Sequence, residues 1–254
     1  MVTLLVSFVG GLSAQALNGA LGLGFGAVAM TVLLGAGITP LIASATVNVA
    51  AAGAGVAGGL AHWRFGNLHW GLTWRLAMPG AVGGFLGASA LSHLAVATTA
   101  PVTALVLMAL GGFIIVRFSR GVPEGRRQRL GWAWPAGVVG GLVNGLGGMG
   151  WGPVATSTVL LGSGLAPAQV VASVSTARAA VALSVVGGFW WSLSSTLAVL
   201  WPIALGLVLG GALMAPFAAW IAKRLPPARL GIAVGATLIA VNGFLLAMEC
   251  GLVL

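Results

Sequence analysis

The chain has 254 residues, 59% of them hydrophobic and only 5% charged, with eleven Lys and Arg against two Asp and Glu. An average soluble domain carries roughly 25% charged residues, so most of this exterior must face hydrocarbon, which excludes a soluble enzyme and makes the lipid bilayer the working medium. The formal charge of +9 does not mark a nucleic-acid binder, because all but one of the basic residues lie in or beside short loops, where such residues orient a membrane protein.

The 42 glycines agree with this. Each would cost a water-soluble helix about 1 kcal/mol relative to Ala, whereas in lipid Gly and Ala let helix backbones approach closely. A single Cys250 excludes a disulfide framework and a Cys-based metal site. The expected architecture is an all-α polytopic membrane protein.

Taken in chain order, the first half opens on an apolar pair, residues 2–19 and 25–36, broken by a glycine-rich turn. Met1 to Gly19 lacks a basic leader and reads as the first membrane segment, not a cleaved signal peptide. Apolar runs follow at 41–62, 72–92 and 97–117, and the charged stretch Arg117 to Arg129 then separates the halves. The second half has a broken pair at 132–146 and 151–164 and runs at 167–190, 197–221 and 230–250. A span needs about 20 residues, so the second arm of each pair is too short to cross comfortably and is expected to be a half-helix.

The halves repeat one another. Asn18 to Gly26 aligns with Asn144 to Gly152, Pro40 and Thr46 with Pro167 and Ser173, and Pro79, Gly83 and Gly87 with Pro202, Gly206 and Gly210. We divide the chain into a first membrane repeat (1–118), a basic linker (119–130) and a second repeat (131–254). With the linker in the cytoplasm, Arg64, Arg75, Lys223, Arg224 and Arg229 also fall inside if each broken pair returns to the side it entered. Each repeat then crosses an odd number of times. The two are inserted upside down relative to each other, both termini lie outside, and a binding site is expected at the midplane between broken helices. Trp63, Trp70, Trp74, Trp132, Trp134 and Trp220 would mark the inner interface and Trp190, Trp191 and Trp201 the outer one, leaving Trp151 in the turn.

Arg178 lies about eleven residues into the run 167–190, near mid-span. A cation there costs at least ~2.5–3.5 kcal/mol, so it should face a cavity and have a partner. Glu124 is in the linker and Glu249 near the C-terminal end, which leaves a transient anion as the partner, well suited to a guanidinium. Alternatively, Arg178 binds backbone carbonyls and joins helices. Ser175 shares its helical face, as Ser173 does with Thr176, and the first half offers Ser44, Thr46 and Asn48. These hydroxyls would line an anion site or serve as interhelical hydrogen bonds.

The two turns, with Gly24 and Gly150 near their centres, lack the Lys-Ser/Thr of a nucleotide loop. Two broken helices whose second arms start at mid-membrane would instead favour an anion through exposed N–H groups, or would simply pack tightly. Asn18 and Asn144 would satisfy freed backbone groups, line the site, or both. His62, His69 and His93 form no metal site, no catalytic constellation is present, and no cofactor is implied. Asn242 reads as a helix-packing amide.

Three features together resemble the TauE/SafE family of sulfite and organosulfonate exporters. They are the glycine-rich break Gly22 to Gly26, the segment Pro40 to Thr46, and the loop Arg64-Phe65-Gly66-Asn67-Leu68. The first two recur at Gly148 to Gly152 and Pro167 to Ser173, with Leu23, Phe25, Met149 and Trp151 interrupting the glycines. The resemblance runs over essentially the whole chain and implies a small sulfur oxyanion or organosulfonate as substrate. Outward movement of an anion from a negative interior is favoured by about 2.3 kcal/mol per charge per 100 mV. The residues therefore point to a transporter that moves a small anion outward, with an anion channel and a non-transporting membrane subunit or assembly factor as the alternatives.

Overall fold

In the computed structural model the described residues are 2–21, 25–64, 66, 68–94, 96–119, 130–156, 158–159, 165, 167–193, 197–224 and 227–249, and no strand occurs among them. The helices are α1 (Val2–Leu21), α2 (Phe25–Gly35), α3 (Pro40–Arg64), α4 (Trp70–His93) and α5 (Val96–Ser119), then α6 (Ala133–Gly147), α7 (Pro167–Leu193), α8 (Leu197–Arg224) and α9 (Pro227–Glu249). A π-helical turn, Trp151–Thr156, follows α6. The expected arm 151–164 lies largely outside the described residues beyond this turn.

Local chemistry accounts for the boundaries. Pro40, Pro167 and Pro227 open α3, α7 and α9, at the position where a missing N–H costs nothing and the fixed φ suits a helix. His69 caps α4, its Nδ1 accepting from Leu72 N–H at 3.1 Å. Gly148 ends α6 in the left-handed conformation at φ 67°, which other residues rarely adopt. Its N–H donates to Asn144 O at 2.6 Å.

Glycine contacts reveal how the helices run. Gly137, Gly141 and Gly145 of α6 lie against the carbonyls of Leu76, Gly80 and Gly84 of α4, so the two are parallel. Gly206 and Gly210 of α8 meet the carbonyls of Leu4 and Phe8 in the same parallel sense along α1. Gly80 and Gly84 rise with Val181 and Val185, which makes α4 and α7 parallel as well. Gly55 and Gly59 meet Ala179 and Thr176, and Gly111 and Gly235 meet Ile239 and Ile115, so the pairs α3–α7 and α5–α9 are antiparallel. Backbones this close gain dispersion contacts, which supply helix association in lipid.

Combined with the short connections, these pairings set α1, α3, α5 and α8 in one direction and α2, α4, α6, α7 and α9 in the other. One end of the bundle thus holds the close of α3 and the starts of α4 and α6, with Trp63, Trp70, Trp74, Trp132 and Trp134, each at least half exposed. The opposite end carries Trp190 and Trp201, equally exposed. Between them the outer surface is apolar: Met78, Val82, Phe85 and Leu86 of α4 and Leu183 of α7 are exposed.

The short arm α2 runs inside the protein, with Gly26 to Thr31 and Leu33 buried. Met30, Leu33 and Val47 pack there with Leu107, Leu207 and Leu238. An 11-residue helix rises about 16 Å, roughly half the hydrocarbon thickness. Its N-terminal end, at the buried Gly26, stops within the protein, where irregular backbone is tolerated in a membrane protein, whereas Gly35 to Gly37 beyond its other end are exposed.

Candidate functional site

The two glycine-rich turns meet. A Cβ on Gly26, at the start of α2, would collide with the carbonyl of Gly148 and lie 3.0 Å from Met149 Cα. Beside this contact is a small pocket lined by Phe25, Gly26, Asn144, Gly148, Met149, Trp151, Gly152 and Arg178. It has room for about one water-sized body. The N-terminal end of α2 contributes Phe25 and Gly26 to it, and amides in a first helical turn lack intrahelical partners and carry partial positive charge.

Arg178 supplies the formal charge. Eleven residues after Pro167, it stands about 16 Å along α7. Its Nε is buried and has no hydrogen-bond partner. Its guanidinium lies over the Phe25 ring at 5.8 Å from the centroid, a cation–π distance. Among the described residues no carboxylate pairs with it.

A hydrogen-bonded chain braces the pocket at Asn144. Asn144 Nδ2 donates to Asn48 Oδ1 at 2.7 Å, and Asn48 Nδ2 donates to Ser44 O at 2.9 Å. Ser44 Oγ in turn reaches Gly145 O at 3.3 Å. These bonds tie α3 to the end of α6, where the turn begins. Trp151 is anchored by its Nε1 donating to Val174 O at 3.0 Å, which locks the turn to α7.

The family model of the sulfite exporter TauE/SafE matches residues 7–245. The chain belongs to the TauE/SafE family. It is 38% identical over 241 residues to the "Probable membrane transporter protein YtnM" of Bacillus subtilis (strain 168), an overlap covering 91% of this chain and 79% of that protein. No solved structure matches. The protein is thus a multi-pass membrane transporter of the TauE/SafE type.

Within this TauE/SafE chain the residues singled out by sequence separate into three groups. Arg178, Asn144 and Trp151 line the pocket, and Asn48 touches it through Asn144. Several others are engaged elsewhere. Ser173 Oγ accepts from the backbone N–H of His69 at 3.0 Å, toward the end where α4 begins. Thr46 Oγ1 donates to Ile42 O and Thr176 Oγ1 to Ala172 O, each within its own helix. Ser175 is half-buried, and Gly150 packs against Val143 and Asn144 outside the pocket lining. Gly24 and the side chain of Asn18 lie outside the described residues.

Phe25, Gly26, Gly148, Met149 and Gly152 line the pocket without having been assigned to it. The signal was present, since all five fall within the repeated turns. Asn242 donates to Thr31 Oγ1 at 2.9 Å, joining α9 to α2 as a packing amide.

Proposed function

We propose that the protein exports a small anion, such as sulfite or an organosulfonate, by alternating access at the pocket around Arg178. The observation that carries this reading is a buried Nε without a partner, on a cation facing a cavity with no carboxylate beside it among the described residues. A buried unpaired cation is expensive, and an oxyanion that enters and leaves would relieve that cost during each cycle. The family's name, sulfite exporter TauE/SafE, supports the sulfur oxyanion as substrate.

The repeats are read as inverted. In support, α1 and α6, α3 and α7, α4 and α8, and α5 and α9 occupy matching places in the two halves and run in opposite directions. We read the end holding Arg64 and Arg75 as cytoplasmic on the positive-inside rule, with both termini outside. The tight closure at Gly26 and Gly148 favours alternating access over an open channel, because an anion larger than water needs the two turns to separate.

Export down the membrane potential needs no coupling ion. The test is sulfite efflux from proteoliposomes under a set potential. Efflux should saturate with substrate, rise as the interior is made more negative, and proceed without Na⁺ or proton gradients. Strict dependence on either gradient contradicts the uncoupled mechanism.

A further inference from the structure

The donor and acceptor order along the Asn144–Asn48–Ser44 chain has a chemical consequence. Ser44 offers Asn48 a backbone carbonyl, which only accepts, so Asn48 must present its NH₂ there. Its Oδ1 then faces Asn144, which must answer with its own NH₂. Both amide orientations follow from that one carbonyl. Asn144 lines the pocket; one N–H of its amino group is held by Asn48, while no donor among the described residues reaches its Oδ1, which is the acceptor it can offer the pocket. The site therefore combines one cation, Arg178, with an amide oxygen that repels any ligand atom lacking a hydrogen. Arg178 is the charged residue among those lining the pocket.

We propose that this pocket selects monovalent anions carrying their own hydrogen-bond donor, with Asn144 Oδ1 as the acceptor and Asn48 as the positioning residue that holds it. The proposal rests on the anion-site reading above and adds a selection rule to it. A ligand with an O–H or N–H beside its charged oxygens satisfies both poles. An isosteric ligand with a methyl group leaves a buried acceptor unpaired. A dianion brings a second negative charge against Oδ1, with one guanidinium to balance two charges. The preference for a donor arises from a hydrogen bond between residues 96 positions apart, and the preference for a monoanion from the single guanidinium.

Three tetrahedral anions of similar size separate these cases: sulfamate, a monoanion with N–H donors; methanesulfonate, a monoanion without them; and sulfate, a dianion without them. Affinities are measured on the purified full-length protein by calorimetric titration at one pH and ionic strength. Wild type should bind sulfamate about tenfold more tightly than methanesulfonate, and sulfate most weakly. Asn144→Leu should erase the advantage of sulfamate over methanesulfonate. Asn48→Ala frees the Asn144 amide to turn its NH₂ inward, so methanesulfonate and sulfate should gain relative to sulfamate. A purely structural role for Asn48 would weaken all three alike and leave their ratios unchanged. Sulfate binding as tightly as sulfamate in wild type, or ratios unmoved by both variants, overturns the selection rule while the anion site stands. Binding of none of the three, or binding unchanged in Arg178→Ala, removes the anion site itself and the rule with it.

Discussion

α3 and α7 each open on a proline and cross each other antiparallel at Gly55 and Gly59 against Ala179 and Thr176. Eleven residues after Pro40 stands Ala51, and eleven after Pro167 stands Arg178. Ala51 is buried among Ala52 and Ala182, whereas Arg178 faces the pocket. The amide is placed the other way round: α3 carries Asn48 on the pocket's hydrogen-bonded wall, and the position eight residues after Pro167 is the half-buried Ser175. Two helices alike in packing thus differ in chemistry. The small residues that let them cross are shared, while the cation is held by one and the bracing amide by the other. On the proposed reading, the arrangement gives the anion site a fixed polarity, with the cation from one half and the bracing amide from the other.

The largest perturbation of this asymmetry is a charge on the wrong helix. Ala51→Arg puts a second cation among buried alanines, at a cost of at least ~2.5–3.5 kcal/mol. Thermal unfolding of the purified variant should drop by several degrees, and Ala51→Arg combined with Arg178→Ala should not restore anion binding. Binding recovered in the double variant would mean that the two helices are interchangeable, contrary to this account.

A smaller effect is expected at the contact between the turns. Gly26→Ala places a methyl against the Gly148 carbonyl, which forces the turns apart at a cost of about 1–3 kcal/mol. Gly35→Ala, at the other end of the same helix, meets nothing within 4 Å and should leave the melting temperature nearly unchanged. Equal losses at both positions would show that α2 tolerates or resists side chains generally, and that the meeting of the turns has no special tightness.

Much of this fold was legible in the sequence because lipid imposes few solutions. Hydropathy bounded the helices to within a few residues, and Pro40, Pro167 and Pro227 marked three of their starts. Arg178 stood out because a mid-span cation is costly, and Asn144 and Trp151 because they sit at the repeated break.

The rest depended on three-dimensional contacts that spacing does not encode. Phe25, Met149 and the glycines of the lining carry no polar signature, so only the contact of Gly26 with Gly148 brings them to the site. Helical periodicity put Ser173 and Thr176 on one face. It did not say that this face meets the His69 backbone and the Gly59 contact. The bond from Asn144 to Asn48 spans 96 residues and emerges only once α3 and α6 are packed.

The central claim is that the pocket around Arg178 binds the transported anion, and the most direct test is titration of sulfite into the purified protein and its Arg178→Ala and Arg178→Lys variants. The account predicts saturable binding in wild type, a weakening of about tenfold in Arg178→Lys, where the guanidinium's two-point grip is lost, and no measurable binding in Arg178→Ala. Wild-type affinity retained in Arg178→Ala would contradict it and leave the arginine as a structural tie between helices.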